Sequence, residues 1–176
     1  MKTLIVYKSC TGFSRRYAEI IGEATGAEVM ELKQVTAQIM GGYDRVVYGA
    51  GLYAGSLNGF KKARALFRKS GAGKLMVFAA GAMPPDSPML EETWKRNLTE
   101  EELREIPHFY LLGGLDYKGM NAVHKLMMKV AITGVSKTKE KDEFAETFLK
   151  VCSKSFDGVD PVYAEPLIRL LKEEAL

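Results

Sequence analysis

Cysteine is scarce in this chain of 176 residues, with only Cys10 and Cys152 present. Two are too few for a disulfide framework, and neither is surrounded by residues at metal-ligand spacing. Long apolar runs are missing as well: nothing approaches the roughly 18 consecutive residues of a transmembrane helix. Met1-Lys2-Thr3 passes directly into Leu4-Ile5-Val6-Tyr7, without the layout of a signal peptide. The expected address is therefore the cytoplasm, and the sequon-like Asn97-Leu98-Thr99 is incidental. Internal repeats and low-complexity tracts are absent too. What is present is an ordinary globular composition, 47% hydrophobic, 27% charged and 10% aromatic. At roughly 150 residues per domain, the length fits one domain with a small appendage.

The formal charge of +3 is unevenly spread. Residues 58–74 carry six Lys/Arg and no acid, and residues 118–141 carry six Lys against Glu140 alone. Residues 86–107 hold seven acids and three bases, and the stretch from Asp157 onward holds five acids and two bases. Basic and acidic faces follow from this. The basic stretches are not interleaved with stacking aromatics and contain no recognised module, so no nucleic-acid partner is expected.

Along the chain, short buried-strand patterns alternate with amphipathic helical ones. Strands are predicted at Thr3–Tyr7, Glu28–Leu32, Arg45–Tyr48, Leu75–Ala79 and Phe109–Leu112. Ser14 is a candidate cap for a helix with a Tyr17, Ile20, Ile21 and Ala24 stripe, closed by Gly26. Phe60, Ala63, Leu66 and Phe67 form the next stripe, closed by Gly71, and Ser87–Ile106 reads as two short helices. Met120–Ile132 and Phe144–Cys152 complete the set, while Gly41-Gly42 marks 34–42 as a loop. Alternation of this kind implies an α/β domain with a five-stranded, doubly wound parallel sheet and helices on both faces. Pro166, with Leu167, Leu170 and Leu171, suits an added C-terminal helix within 161–176.

Ligands of such sheets bind beyond the carboxyl ends of the strands, where the winding reverses. The first predicted strand is followed there by Ser9-Cys10-Thr11-Gly12-Phe13-Ser14 and a helix. Hydroxyls, a glycine and free N–H groups at a helix N-terminus suit a phosphate, although they also build an ordinary capped turn. No P-loop lysine follows Gly12. A G-x-G-x-x-A run occurs only at Gly49–Ala54 after the third strand, and no acid lies between Arg45 and Pro85, which argues against a dinucleotide. A phospho-receiver needs acids where this chain has Tyr7-Lys8 and Tyr48-Gly49.

The Ser9–Ser14 run resembles the T/S-x-T-G-x-T/S phosphate loop of the flavodoxin-like proteins. That resemblance implies strand order 2-1-3-4-5 and FMN as cofactor, with Ser9, Cys10, Thr11, Gly12, Phe13 and Ser14 around the phosphate. It also implies two loops around the flavin ring, Ala50, Gly51, Leu52, Tyr53, Ala54 and Gly55, then Gly81, Ala82 and Met83. Tyr53 either stacks on the ring or caps its loop at a wet edge. More narrowly, Tyr43-Asp44-Arg45-Val46-Val47, Gly114-Leu115-Asp116-Tyr117 and Leu126-Met127-Met128-Lys129 resemble the flavodoxin-type menaquinone-dependent protoporphyrinogen oxidases and their uncharacterised relatives. The likeness implies an FMN domain over 1–156, with an insert at about 115–135, and a helical extension over 157–176. The oxidase insert is rich in Arg and aromatics, whereas Gly119, Met120, Asn121, Ala122 and Val123 stand here.

On a helical wheel Met120, Val123, Leu126, Met127 and Val130 share an arc opposite His124, Lys125 and Lys129, with Met128 and Ile132 on the polar side. Such a helix either covers the sheet or uses Lys118–Lys129 to meet a quinone or an acidic or membrane-associated redox partner, which would place the protein peripherally at a membrane. His124 is either solvated or a proton donor near the flavin. Cys10 reads as a small filler of its loop and Cys152 as core. The expected activity is FMN-dependent transfer of electrons from a reduced substrate, of which a protoporphyrinogen-like molecule is one, to a quinone or other acceptor. The alternative is an electron carrier between proteins; simple flavodoxins of that kind are typically acidic. Nothing in the sequence specifies an oligomeric state.

Overall fold

Continuous apolar runs need cover on both faces, and the chain supplies it by alternating strands with helices. A computed structural model describes residues 1–137 and 143–174. Lys139, Glu140 and Lys141 of the basic stretch, and the final residues of the expected C-terminal helix, lie outside the described residues. β1 (Thr3–Lys8) leads to α1 (Phe13–Thr25), β2 (Glu28–Glu31), a 3₁₀ turn at Leu32–Gln34 and α2 (Ala37–Met40). Then come β3 (Arg45–Tyr53), β4 (Ser56–Leu57), α3 (Phe60–Ser70), β5 (Lys74–Gly81), α4 (Met89–Asn97) and α5 (Glu100–Glu105). β6 (His108–Leu112) and β7 (Gly114–Leu115) precede α6 (Ala122–Ser136), α7 (Glu143–Val151), β8 (Phe156–Asp157) and α8 (Glu165–Glu173).

The strands β2-β1-β3-β5-β6 lie side by side in one parallel sheet, the doubly wound order expected of the five long runs. The short β4 folds back antiparallel on the end of β3, and β7 pairs with β8 in a separate ribbon. Because successive strand side chains face opposite ways, the core splits in two. Leu4, Val6, Tyr48 and Val77 meet Phe60 and Ala63 of α3 on one face. Ile5, Val47 and Phe78 meet Tyr17 and Ile21 of α1 and Leu167 and Leu171 of α8 on the other. The buried Arg45 ties α8 down, donating to Thr3 Oγ1 and to the Leu171 carbonyl, both at 3.0 Å.

Several local expectations change. Gly12, not Ser14, stands at the start of α1 with φ 93°, and Ser14 is buried within the first turn. Residues 34–42 are more than a loop, since Thr36 Oγ1 accepts the Ile39 N–H at 3.2 Å and caps α2. β3 runs on past Tyr48, because Gly49, Ala50 and Gly51 pair with Phe78, Ala79 and Ala80, and Leu52 and Tyr53 pair with β4. The split of 87–106 is as expected: Thr99 opens α5 with a reciprocal Glu102 capping box. Met120 precedes α6, which Asn121 caps by accepting the His124 N–H at 2.8 Å.

α6 turns inward the edge that carries His124, Met128 and Ile132, while Lys125 and Lys129 are exposed as a solvated basic face requires. Val123, Leu126 and Val130 are 62–65% exposed, and Met127 is also exposed. Met128 and Ile132 pack inward against Leu115, Met120 and Cys152. Among the described residues none in α6 is buried. The wheel separates apolar from polar residues but does not say which arc faces the body.

Candidate functional site

The strand ends converge on one cavity of about 200 Å³. Its first wall is the turn after β1, with Ser9, Cys10, Thr11, Phe13 and Ser14. Ser9 Oγ accepts the Gly12 N–H at 3.0 Å, and the Gly12 carbonyl accepts the Arg16 N–H at 3.0 Å, so the turn is pinned at both ends. The first-turn N–H groups of Phe13 and Ser14 have no carbonyl four residues back within α1, which leaves donors and the positive helix end for an anion.

The second wall is Gly51, Leu52, Tyr53 and Ala54. Here the chain reverses through Ala54, with φ 49°, and Gly55, with φ 75°. That turn is strained for alanine, and α4 holds it: Arg96 donates to the Ala54 carbonyl at 3.0 Å and Asn97 Nδ2 to the Gly55 carbonyl at 2.8 Å. Burial pushes the Tyr53 phenol up, and its hydroxyl interacts with Cys10 and Thr11 across the cavity. The Cys10 thiol is exposed and accepts from Asn58 Nδ2 at 3.4 Å.

Ala80, Gly81 and Ala82 make the third wall, steadied by Tyr110, whose hydroxyl donates to the Met83 carbonyl at 2.7 Å. Beyond β6, Gly113, Gly114 and Leu115 continue it, with the Gly113 N–H donating to the Gly81 carbonyl at 2.7 Å. Gly114 is tightly enclosed: a Cβ there would lie 2.3 Å from the Phe156 carbonyl oxygen and 3.0 Å from the Phe13 ring. Met120, His124, Met127, Met128, Ala131 and Phe148 form the roof.

Most residues singled out in the sequence therefore meet in this cavity. Gly12, Ala50, Gly55 and Met83 do not line it. Gly12 supplies the turn, Ala50 is buried in the sheet, Gly55 completes the strained turn, and Met83 receives the Tyr110 hydrogen bond. Sequence reasoning gave no site role to Gly113 and Gly114, for which the signal was a glycine pair directly after the last strand, nor to Ala131 and Phe148 of the roof, whereas His124 near the ring was one of its two readings. His124 is not merely solvated. Its ring stacks on Tyr53 with centroids 4.4 Å apart and planes 20° apart, and its Nδ1 is buried with no hydrogen-bond partner among the described residues. Cys152 is core as expected, and burial pushes its thiol up to about 11. Among the described residues no group of His, Cys, Asp or Glu is arranged to hold a metal ion, and no helix is long and apolar enough to cross a membrane.

A doubly wound sheet with a hydroxyl-rich, helix-starting turn at the end of its first strand defines a class of ligand-binding α/β proteins. A family model described as a flavodoxin domain matches residues 4–143, and the chain belongs to that family. Among solved structures it is similar to oxidised Flavodoxin 1 from Bacillus cereus, at 18% identity over 85% of this chain and 98% of that one, with a TM-score of 0.41. It is also similar to a flavodoxin from the domain Archaea, at 15% identity over 76% of this chain and 98% of the other, TM-score 0.42. A WrbA-like flavodoxin from Agrobacterium tumefaciens shares 17% identity over 78% and 99%, TM-score 0.43. No curated protein matches.

Proposed function

We propose that this chain binds FMN in the cavity and passes electrons from a reduced substrate to a quinone or similar acceptor. The carrying observation is convergence: the turn after β1, the end of β3 and the end of β5 meet on one cavity whose first wall offers hydroxyls and unpaired helix N–H groups. The residues present fit the cofactor. Ser9, Thr11 and Ser14, with the first-turn N–H groups, hold the phosphate, and Gly51 and Gly81 let main chain approach the ring. Tyr53 gives the ring a stacking face. When bound, the flavin supplies the electron or hydride transfer, and the protein supplies position and exclusion of water.

The roof supports an enzyme over a simple carrier. Met120, Met127, Met128 and Phe148 add an adaptable apolar surface beyond what a phosphate and a ring require, suited to a large apolar substrate. The segment after β6 also carries the likeness to protoporphyrinogen oxidases, which makes a protoporphyrinogen-like substrate the first to assay. Outside, α6 exposes Val123, Leu126 and Val130 together with Lys125 and Lys129, and Lys118 is exposed in the turn before it, a combination suited to an acidic or membrane-peripheral acceptor.

The test is the absorption spectrum of purified protein after reconstitution, with chromatography of the heat-released cofactor. A flavin spectrum and FMN alone are expected. FAD, or no flavin uptake, would overturn the reading.

A further inference from the structure

His124 occupies the ring-stacking place in the site assigned to the flavin. A 4.4 Å centroid spacing at 20° is that of two rings in contact, and it leaves no slot for a third between them. A planar ligand that stacks on Tyr53 from the cavity side must therefore displace the imidazole. Cavity size agrees, since about 200 Å³ is less than the roughly 300–1,000 Å³ of sites that enclose a small molecule. The imidazole is also incompletely bonded where it stands: Nδ1 is buried without a partner among the described residues, a costly state for a ring nitrogen. Its backbone is fixed by the Asn121 cap, so ring movement arises from side-chain rotation or from tilting of α6. Among the described residues none of α6 is buried, and Met128 and Ile132 pack it against the small cluster of Leu115, Met120 and Cys152.

We propose that His124 is the gate of the flavin site: it stacks on Tyr53, gives up that place to the entering ring, and then pairs Nδ1 with the ligand's polar edge or with water. The proposal rests on the flavin reading and deepens it. It makes His124 a positioning residue that governs entry and exit, and it accounts for a polar residue on the inner side of α6 beside Met128 and Ile132.

The chain has two histidines, so imidazole NMR reads the gate directly in apoprotein. The His124 ring protons are expected upfield, shielded by Tyr53, and should return toward ordinary positions in Tyr53→Leu and on addition of FMN. His108, which lies against Trp94, is the internal reference and should not move. In stopped-flow mixing with FMN, His124→Ala should associate about ten-fold faster, the gain when a site open a tenth of the time becomes always open. His124→Phe keeps a ring on Tyr53 but has no Nδ1; it should stay as slow as wild type on entry and release FMN faster. Unshielded His124 signals in the apoprotein, or an His124→Ala association rate within two-fold of wild type, would overturn the gate. Wild-type protein that takes up no flavin would overturn the flavin reading and the gate together, whereas normal uptake with an unchanged His124→Ala rate would remove the gate alone.

Discussion

The floor of the cavity and its roof are held in place by different means. Tyr53, Gly81 and the turn after β1 sit at the ends of paired strands, with Ala79 and Ala80 opposite Ala50 and Gly51 and fully buried side chains behind them. The roof helix α6 has Met128 and Ile132 against Leu115, Met120 and Cys152, and turns Val123, Leu126 and Val130 to solvent. Most of the floor is fixed by the same burial that folds the domain, and its strained turn at Ala54 is held by Arg96 and Asn97 of α4. The roof is free to respond to what enters or docks. A pre-formed, hydroxyl-rich turn under a lightly held cover is the division of labour that the proposed cofactor site calls for.

The largest expected contrast is in stability. Phe78 is fully buried at the centre of β5, its ring lying where a Cβ on Gly49 would come within 1.9 Å. Phe78→Ala should cost about 3–5 kcal/mol in urea unfolding, whereas Val123→Ser with Leu126→Ser should change stability by less than about 0.5 kcal/mol. A loss of several kcal/mol from the α6 pair would show that the roof belongs to the folding core. Next in size, Thr11→Ala or Ser14→Ala should weaken FMN binding by about 1–3 kcal/mol each, read by fluorescence titration, if a charged phosphate loses a donor. Unchanged affinity in both would put the phosphate elsewhere.

Much of the floor was legible in the sequence, and the reason is physical. Strands buried on both faces are written as apolar runs such as Leu4-Ile5-Val6 and Val46-Val47-Tyr48, and Gly26 and Gly71 end their helices with φ 68° and 74°. The turn after β1 announces itself by residue type. The roof is different. Its helix was visible, but its facing was not, because three-dimensional neighbours drew Met128, Ile132 and His124 inward. Gly49–Tyr53 read as loop because glycine is a poor strand former, yet pairing with β5 and the Phe78 ring require it there.

Smaller effects sharpen the contrast further. Burial alone would raise the Glu102 carboxyl, but the Thr99 N–H and the guanidiniums of Arg64 and Arg68, at 2.9 and 3.0 Å, hold it below its ordinary 4.5. A depressed folded value means the contribution is complete above pH 4.5 and lost as pH falls through that lower value. Glu102→Gln should flatten acid unfolding there by less than about 1 kcal/mol, since the pair is partly screened by solvent. Smallest in stability is Lys125→Gln with Lys129→Gln, expected within about 0.5 kcal/mol of wild type. The same pair should slow reoxidation by a quinone in anionic vesicles, and added salt should mimic it, because exposed charges are screened over about 10 Å at 0.1 M. Equal, salt-insensitive rates would sink the docking role of α6.

The central claim, that the cavity at the strand ends is an FMN site anchored through the turn after β1, is tested most directly by titrating apoprotein with FMN and with riboflavin side by side. The two ligands share the ring and differ in the phosphate. FMN should bind one to one and at least about 100-fold more tightly than riboflavin, the difference made by two charge-assisted hydrogen bonds. Equal affinity for the two, or binding of neither, would contradict the account.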